Sequence, residues 1–152
     1  RHMLNAIKDF FERNLSPGGA EQGEAHRLRL AVAALLLEMA RMDETMRADE
    51  CAWVEEAVRE RFELTPEETR KLLALAEAER RDATDYFQFT SLINRHYGPE
   101  ERVAVVRELW RIAYGDAALH RDEEHLVRKL ADLLHVPHGQ LLAAKHQVLG
   151  KG

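Results

Sequence analysis

The chain has 152 residues, 45% of them apolar and 32% charged, with a formal net charge of −5 from 27 acidic and 22 basic residues. That size suits one domain with its own core, folding without disulfides or a structural metal, and the single cysteine, Cys51, excludes an internal bridge and fits a reducing compartment. Interspersed charge of slightly acidic balance argues against a nucleic-acid partner, because gripping a phosphate backbone calls for a basic face.

No stretch approaches the ~20 apolar residues of a transmembrane helix; the longest apolar run, Leu30 to Leu37, reads as a buried helix. Lys8, Asp9, Glu12 and Arg13 interrupt the N-terminal apolar positions, so no secretory signal is legible there. A cytoplasmic protein that does not itself cross a membrane is the expectation. Arg1 and His2 ahead of Met3 read as an expression remnant, which leaves residues 3–152 as a single helical domain.

Apolar residues recur at helical spacing almost throughout, and no alternating run is long enough for a strand. The first helix, about residues 3–14, carries Leu4, Ile7, Phe10 and Phe11 on one side. With acidic as well as basic residues it is not notably cationic, so that side is expected to pack across the bundle and not on a membrane surface. Ser16-Pro17-Gly18-Gly19 breaks the helix. The second, about Ala25 to Met42, has its stripe at Leu28, Val32, Leu35, Leu36 and Met39; the third spans about Ala48 to Phe62.

Thr65-Pro66-Glu67-Glu68 opens the fourth with a Thr N-cap, Pro at the first helical position and Glu at the capping-box position. Leu72, Leu75 and Ala76, with Leu73 beside them, form its apolar stripe. Asp82 or Thr84 is the expected cap of a fifth helix bearing Tyr86, Phe87, Phe89, Leu92 and Ile93. Gly98-Pro99 launches the sixth, with Val103, Val106, Trp110 and Ala113 on one face. The seventh covers about Arg121 to Leu134, and Pro137 opens a last short helix with Leu141, Leu142 and Val148. The expected fold is therefore all-α, a bundle of seven or eight helices.

A shift of 73 positions overlays the two halves. Val32 meets Val105, Leu36 meets Leu109, Met39 meets Ile112, Asp43 meets Asp116, Asp49 meets Asp122, Glu50 meets Glu123 and Val54 meets Val127. With one residue deleted the match continues: Phe62 meets Leu134, Leu64 meets Val136, and Thr65-Pro66 lies opposite Pro137. Two superposable apolar faces predict two similar helical hairpins packed as a pseudo-twofold pair.

Each repeat carries an acidic turn between its first two helices. Asp43, Asp49 and Glu50 in one, and Asp116, Asp122 and Glu123 in the other, offer oxygen ligands of the kind Ca2+ or Mg2+ takes. A second explanation needs no ligand: acids in the first turn of a helix are favoured by its dipole. That accounts for Asp49-Glu50 and Asp122-Glu123, but Asp43 and Asp116 sit where an acid opposes the dipole of the preceding helix unless it caps the next. Neither turn is an EF-hand loop, lacking the alternating ligands and the Glu at the twelfth position. Walker, GxGxxG, HExxH and CxxC motifs are absent from the sequence.

His120, His125, His135, His138 and His146 invite a zinc reading, but Pro137 keeps His135 and His138 off one helical face, so surface or capping roles are expected. Cys51 is expected to be a buried small residue, since no base can be placed beside it. A metal-dependent hydrolase would need a base or nucleophile near the acids, and only His120 is close in sequence, so no enzymatic activity is expected.

The phrase Ala40-Arg41-Met42-Asp43 through Asp49-Glu50, repeated at Ala113-Tyr114-Gly115-Asp116 through Asp122-Glu123-Glu124, resembles the TerB family associated with tellurite resistance. The family's turn runs Asp-Gly-x-apolar-(Ser/Thr/Asp)-x-x-Glu, which is matched here by Asp43 with Glu50 and by Asp116 with Glu123. Glu44 and Ala117 stand where the family has Gly, and Arg47 and His120 where it has a small capping residue, departures that bear directly on any cation site. The resemblance implies a non-enzymatic binding module in metal and oxyanion stress. It also implies a protein partner, itself membrane-associated, and hence a place at the inner face of the membrane. The competing expectation is a purely structural helical adaptor for protein–protein interaction, without a metal site.

Overall fold

The computed structural model describes residues 2–17, 23–81, 87–114 and 121–150. Those residues form eight α-helices and no strand: α1 (His2–Phe10), α2 (Glu24–Met42), α3 (Ala48–Glu60), α4 (Pro66–Arg81), α5 (Gln88–His96), α6 (Pro99–Ala113), α7 (Arg121–Leu133) and α8 (His138–Val148). A π-helical turn, Phe11–Leu15, continues α1.

α2 is the axis of the molecule. Every residue from Leu30 to Met39 is buried, as the all-apolar run predicts, and α3, α4, α5 and α6 all pack on it. A leucine taken fully out of water stabilises by roughly 1.5–3 kcal/mol; Leu30, Leu35, Leu36 and Leu37 make this helix the largest single contributor to the core.

The internal repeat is structural. α2 packs on α3 and α4 as α6 packs on α7 and α8, and between the repeats α2 meets α6 and α3 meets α7. Residues paired by the repeat share the core: Val32 and Val105, Leu36 and Leu109, Val54 and Val127, and Phe62 and Leu134 are each fully buried. The backbone repeats as well. Among the described residues, Glu63 (φ 56°) and His135 (φ 59°) are the positive-φ residues other than glycine, and they occupy matching positions just past the ends of α3 and α7. A left-handed residue there turns the chain sharply from the second helix of each repeat into the third.

α1, its π-turn and α5 lie outside the repeat; the π-turn and α5 pack on α2, and α1 packs on α4 and α5. The π-turn is a departure from the simple helix expected over residues 3–14. By widening one turn it brings Phe10, Phe11 and Leu15 all inward. The Leu15 carbonyl is then held from two sides, by Tyr97 Oη at 2.6 Å and by Arg27 Nη1 at 3.2 Å. Arg27 is itself buried, pairs with Glu24 and Glu101, and lies over the Tyr97 ring at 5.0 Å. Burial pushes the Tyr97 hydroxyl up to about 12, so it stays a donor at any ordinary pH.

Helix starts agree with the sequence at Thr65, where Glu68 N donates to Thr65 Oγ1 (3.0 Å) and Thr65 N donates to Glu68 Oε1 (2.9 Å), a complete capping box. They disagree at α5. Asp82 and Thr84, the expected caps, lie outside the described residues, and α5 begins later, at Gln88, behind Phe87. Phe87 has no side chain that can cap, and the free N–H groups of α5 are taken instead by carboxylates from α2 and α4.

Candidate functional site: the acidic turns

The first acidic turn is the short link between α2 and α3. Asp43 ends α2 in extended conformation (φ −86°, ψ 110°), and its side chain folds back over the turn. Asp43 Oδ1 accepts from Thr45 N (2.9 Å) and Thr45 Oγ1 (2.6 Å), and Asp43 Oδ2 faces Lys129 Nζ at 2.8 Å. Lys129 also donates to Thr45 Oγ1 at 2.7 Å. The lysine comes from α7, in the other repeat, so Asp43 receives its countercharge from the opposite half of the chain. Burial pushes the Asp43 carboxyl up, but Lys129 and the two Thr45 donors outweigh it and hold it below the usual carboxylate range. The acid that opposes the dipole of α2 is thereby offset by a cation the chain supplies itself.

The other two acids of this turn turn away from Asp43 to different tasks. Glu50 is buried, and its Oε1 accepts from Arg47 N at 3.1 Å, closing the reach-back half of a capping box at the start of α3. Asp49 is exposed and ion-paired with Arg47 (Nε to Oδ1, 3.1 Å); that guanidinium, with the Glu50 backbone N–H, holds its carboxyl low. Arg47 stands where a small capping residue was expected, and it supplies a countercharge instead of a hydroxyl. Among the described residues no group of three or more His, Cys, Asp or Glu side chains is placed to hold a metal ion.

Of the second turn, Asp116 lies outside the described residues, as do the side chains of Asp122 and Glu123, although α7 itself starts at Arg121. His120, the residue closest in sequence to those acids, lies there too. Glu124, next in line, bridges Lys145 of α8 at 3.3 Å and Arg128 at 3.4 Å. The neighbouring first-repeat position is Cys51, half-buried where full burial was expected; its thiol donates to the Ala40 carbonyl at 3.4 Å and is pushed up by the burial it has. His125, His135, His138 and His146 are exposed, on separate parts of α7, its end and α8.

Set beside known families, the chain matches the model of the tellurite resistance protein TerB over residues 29–146. The chain belongs to the TerB family. The matched region starts inside α2 and ends inside α8, so the family's unit is the pair of repeats together with α5, while α1, the π-turn and Arg27 lie outside it. The all-α bundle expected of a TerB domain is the fold observed. No curated protein and no solved structure matches the chain. No described helix is long and apolar enough to cross a membrane.

Lys129 and Thr45 are the residues of the TerB turn that the motif does not reveal. The signal that could have found Lys129 is a broken repeat: the register that pairs Asp43 with Asp116 pairs Lys129 with Glu56 and Thr45 with Ala118. In the register of the repeat, Lys129 and Thr45 have no second copy in the sequence.

Proposed function

We propose that this chain is a non-catalytic TerB-family binding module that takes a divalent cation, Ca2+ or Mg2+, at its second acidic turn. The observation that carries the reading is the Lys129–Asp43 contact at 2.8 Å. The first turn is neutralised from within. In the register of the repeat the second turn has Glu56 in place of Lys129 and Ala118 in place of Thr45, which leaves Asp116, Asp122 and Glu123 with one more acid and no counterpart of the lysine. Such a surplus of carboxylates suits a hard cation with oxygen ligands. Asp43, Asp49 and Glu50 then serve as the internally satisfied copy. On this reading, which the family's link to tellurite resistance supports, the module acts in metal and oxyanion stress through a protein partner at the inner face of the membrane.

Titration with Ca2+ and with Mg2+ followed by amide NMR tests this. Shifts are expected at residues 116–123 and at Glu56, with residues 43–50 still. In Lys129→Gln the first turn loses its internal cation, and the shifts should spread to residues 43–50. A spectrum unmoved by millimolar cation in both proteins removes the metal reading.

The adaptor reading has an observation of its own. An open groove of about 330 Å3 beside the α3–α4 junction is floored by Leu64, Pro66 and Leu73 and flanked by the exposed Arg59 and Arg70. That chemistry suits a short acidic, partly apolar segment of a partner protein. A module that works this way binds such a partner with or without metal, and Arg59→Glu with Arg70→Glu should abolish the binding.

A further inference from the structure

α5 cannot hold its own first turn. Its N-cap is Phe87, and the three N–H groups that open the helix point at two buried carboxyl groups from other helices. Gln88 N donates to Glu79 Oε2 at 2.8 Å; Phe89 N donates to Glu38 Oε2 at 2.7 Å; Thr90 N and Thr90 Oγ1 donate to Glu38 Oε1 at 2.9 and 2.7 Å. Glu38, one turn before the end of α2, and Glu79, from α4, are both fully buried, and their carboxyl groups meet side by side at adjacent N–H groups of α5.

Glu38 uses both oxygens to accept from α5 and Glu79 accepts from the neighbouring amide, so this helix end gathers two carboxyl groups out of water, a strain that one proton held between them relieves. The groups aimed at the pair from α5 are N–H and O–H donors, an arrangement that repels a metal ion and accepts net negative charge. The charged group acting on Glu38 from α4 is Glu79; from α5 it is met by the neutral Phe89 and Thr90. Arg41, one turn further along α2, is committed to Glu55 and Glu77.

We propose that Glu38 and Glu79 form a proton-operated latch, one shared proton joining the two carboxyls and the joined pair fastening the first turn of α5 to α2 and α4. The pair fits its surroundings in one state of charge. Singly protonated, it presents one negative charge to the positive end of α5. Doubly ionised, it sets two carboxylates against each other out of water. Burial, and then Glu79, pushes the Glu38 carboxyl well above the usual range, against the pull of Thr90 and Phe89. With the folded value raised, the latch's contribution is complete below the ordinary carboxylate value of 4.5 and is lost as pH rises through the folded one. Release would loosen the contact of Phe89 with Phe10, ring centroids 6.2 Å apart, and with it the packing of α1 against α5. The latch is independent of any cation at the acidic turns.

Two measurements on the full chain test it. Infrared spectroscopy should show a protonated carboxyl at neutral pH that disappears in Glu79→Gln, whose amide keeps both the donor toward Glu38 and the acceptor for Gln88 N. Hydrogen exchange, corrected for its intrinsic pH dependence, should show the Gln88, Phe89 and Thr90 amides losing protection relative to α6 as pH rises. The loss is on the order of tenfold per pH unit past the transition, and Glu79→Gln should stay flat. No protonated carboxyl at neutral pH, or α5 protection that does not change with pH in the unmodified chain, overturns the proposal. Both readings of the unmodified chain hold even if the variant fails to fold.

Discussion

The two repeats share a core and differ at their turns. In the first, Asp43 ends α2 against Lys129 and Thr45; in the second, the same register offers Glu56 and Ala118 to Asp116. Duplication copied the apolar faces, because a core tolerates little change in volume or pattern. It left the polar contacts between repeats free to diverge, since a surface ion pair contributes little to stability. What the difference teaches is that a repeated acidic motif does not bring a repeated set of neighbouring charges with it. A carboxylate is a ligand or a structural tie according to what faces it.

Paired substitutions can break or sharpen that comparison. The largest effects belong to the shared core: Leu36→Ala and Leu109→Ala each remove a fully buried leucine at matching positions of α2 and α6. Urea denaturation should show each losing about 2–5 kcal/mol. A small loss at one of the two would mean that the repeats do not contribute equivalent cores. Next comes the contact that makes the turns different. Lys129→Ala should cost about 0.5–1 kcal/mol, less in high salt, because the pair sits near the surface. Glu56→Lys, which lends the second turn the missing cation, should stabilise the protein in low salt and weaken the binding of divalent cation there. A destabilised Glu56→Lys would remove the pseudo-symmetric argument.

The backbone offers a comparison in which the repeats should agree. Glu63→Gly and His135→Gly relieve a left-handed residue at each hairpin junction and should each raise stability by about 0.5–1 kcal/mol in thermal unfolding. The smallest effect is acid titration of the first turn. The Asp43 carboxyl is held below its ordinary value of 3.8, so its contribution is present above that pH and is lost as pH falls through the folded value. In Lys129→Ala that part of the acid transition should move up toward the ordinary value, and a curve unchanged below that pH would mean that Lys129 does not govern Asp43.

Much of this was legible in the residues. The run from Leu30 to Leu37 marks the central helix, Thr65 with Glu68 marks the start of α4, and the overlay of Phe62 on Leu134 aligns the ends of α3 and α7, where the structure then places a left-handed residue in each. These features are local, or they recur at one fixed period, and helical spacing and capping chemistry act within a turn or two of chain. The acidic turns were legible as a motif and not as a site. Glu50 proved to be a capping-box residue, Asp49 an exposed partner of Arg47, and Asp43 the partner of a lysine 86 positions along the chain.

By itself, then, the sequence determined that the protein is helical, duplicated and of the TerB pattern, because periodicity, caps and repeat register are properties of neighbouring residues. Tertiary structure alone decided which cation meets Asp43 and how α5 begins. Lys129 reaches Thr45 across a sequence separation of 84, and Glu38 reaches Thr90 across 52. The caps legible at Asp82 and Thr84 carry no sign of such reach. Charge and hydrogen-bond capacity are written in every residue, but the partner that satisfies them is set by which helices the fold lays side by side.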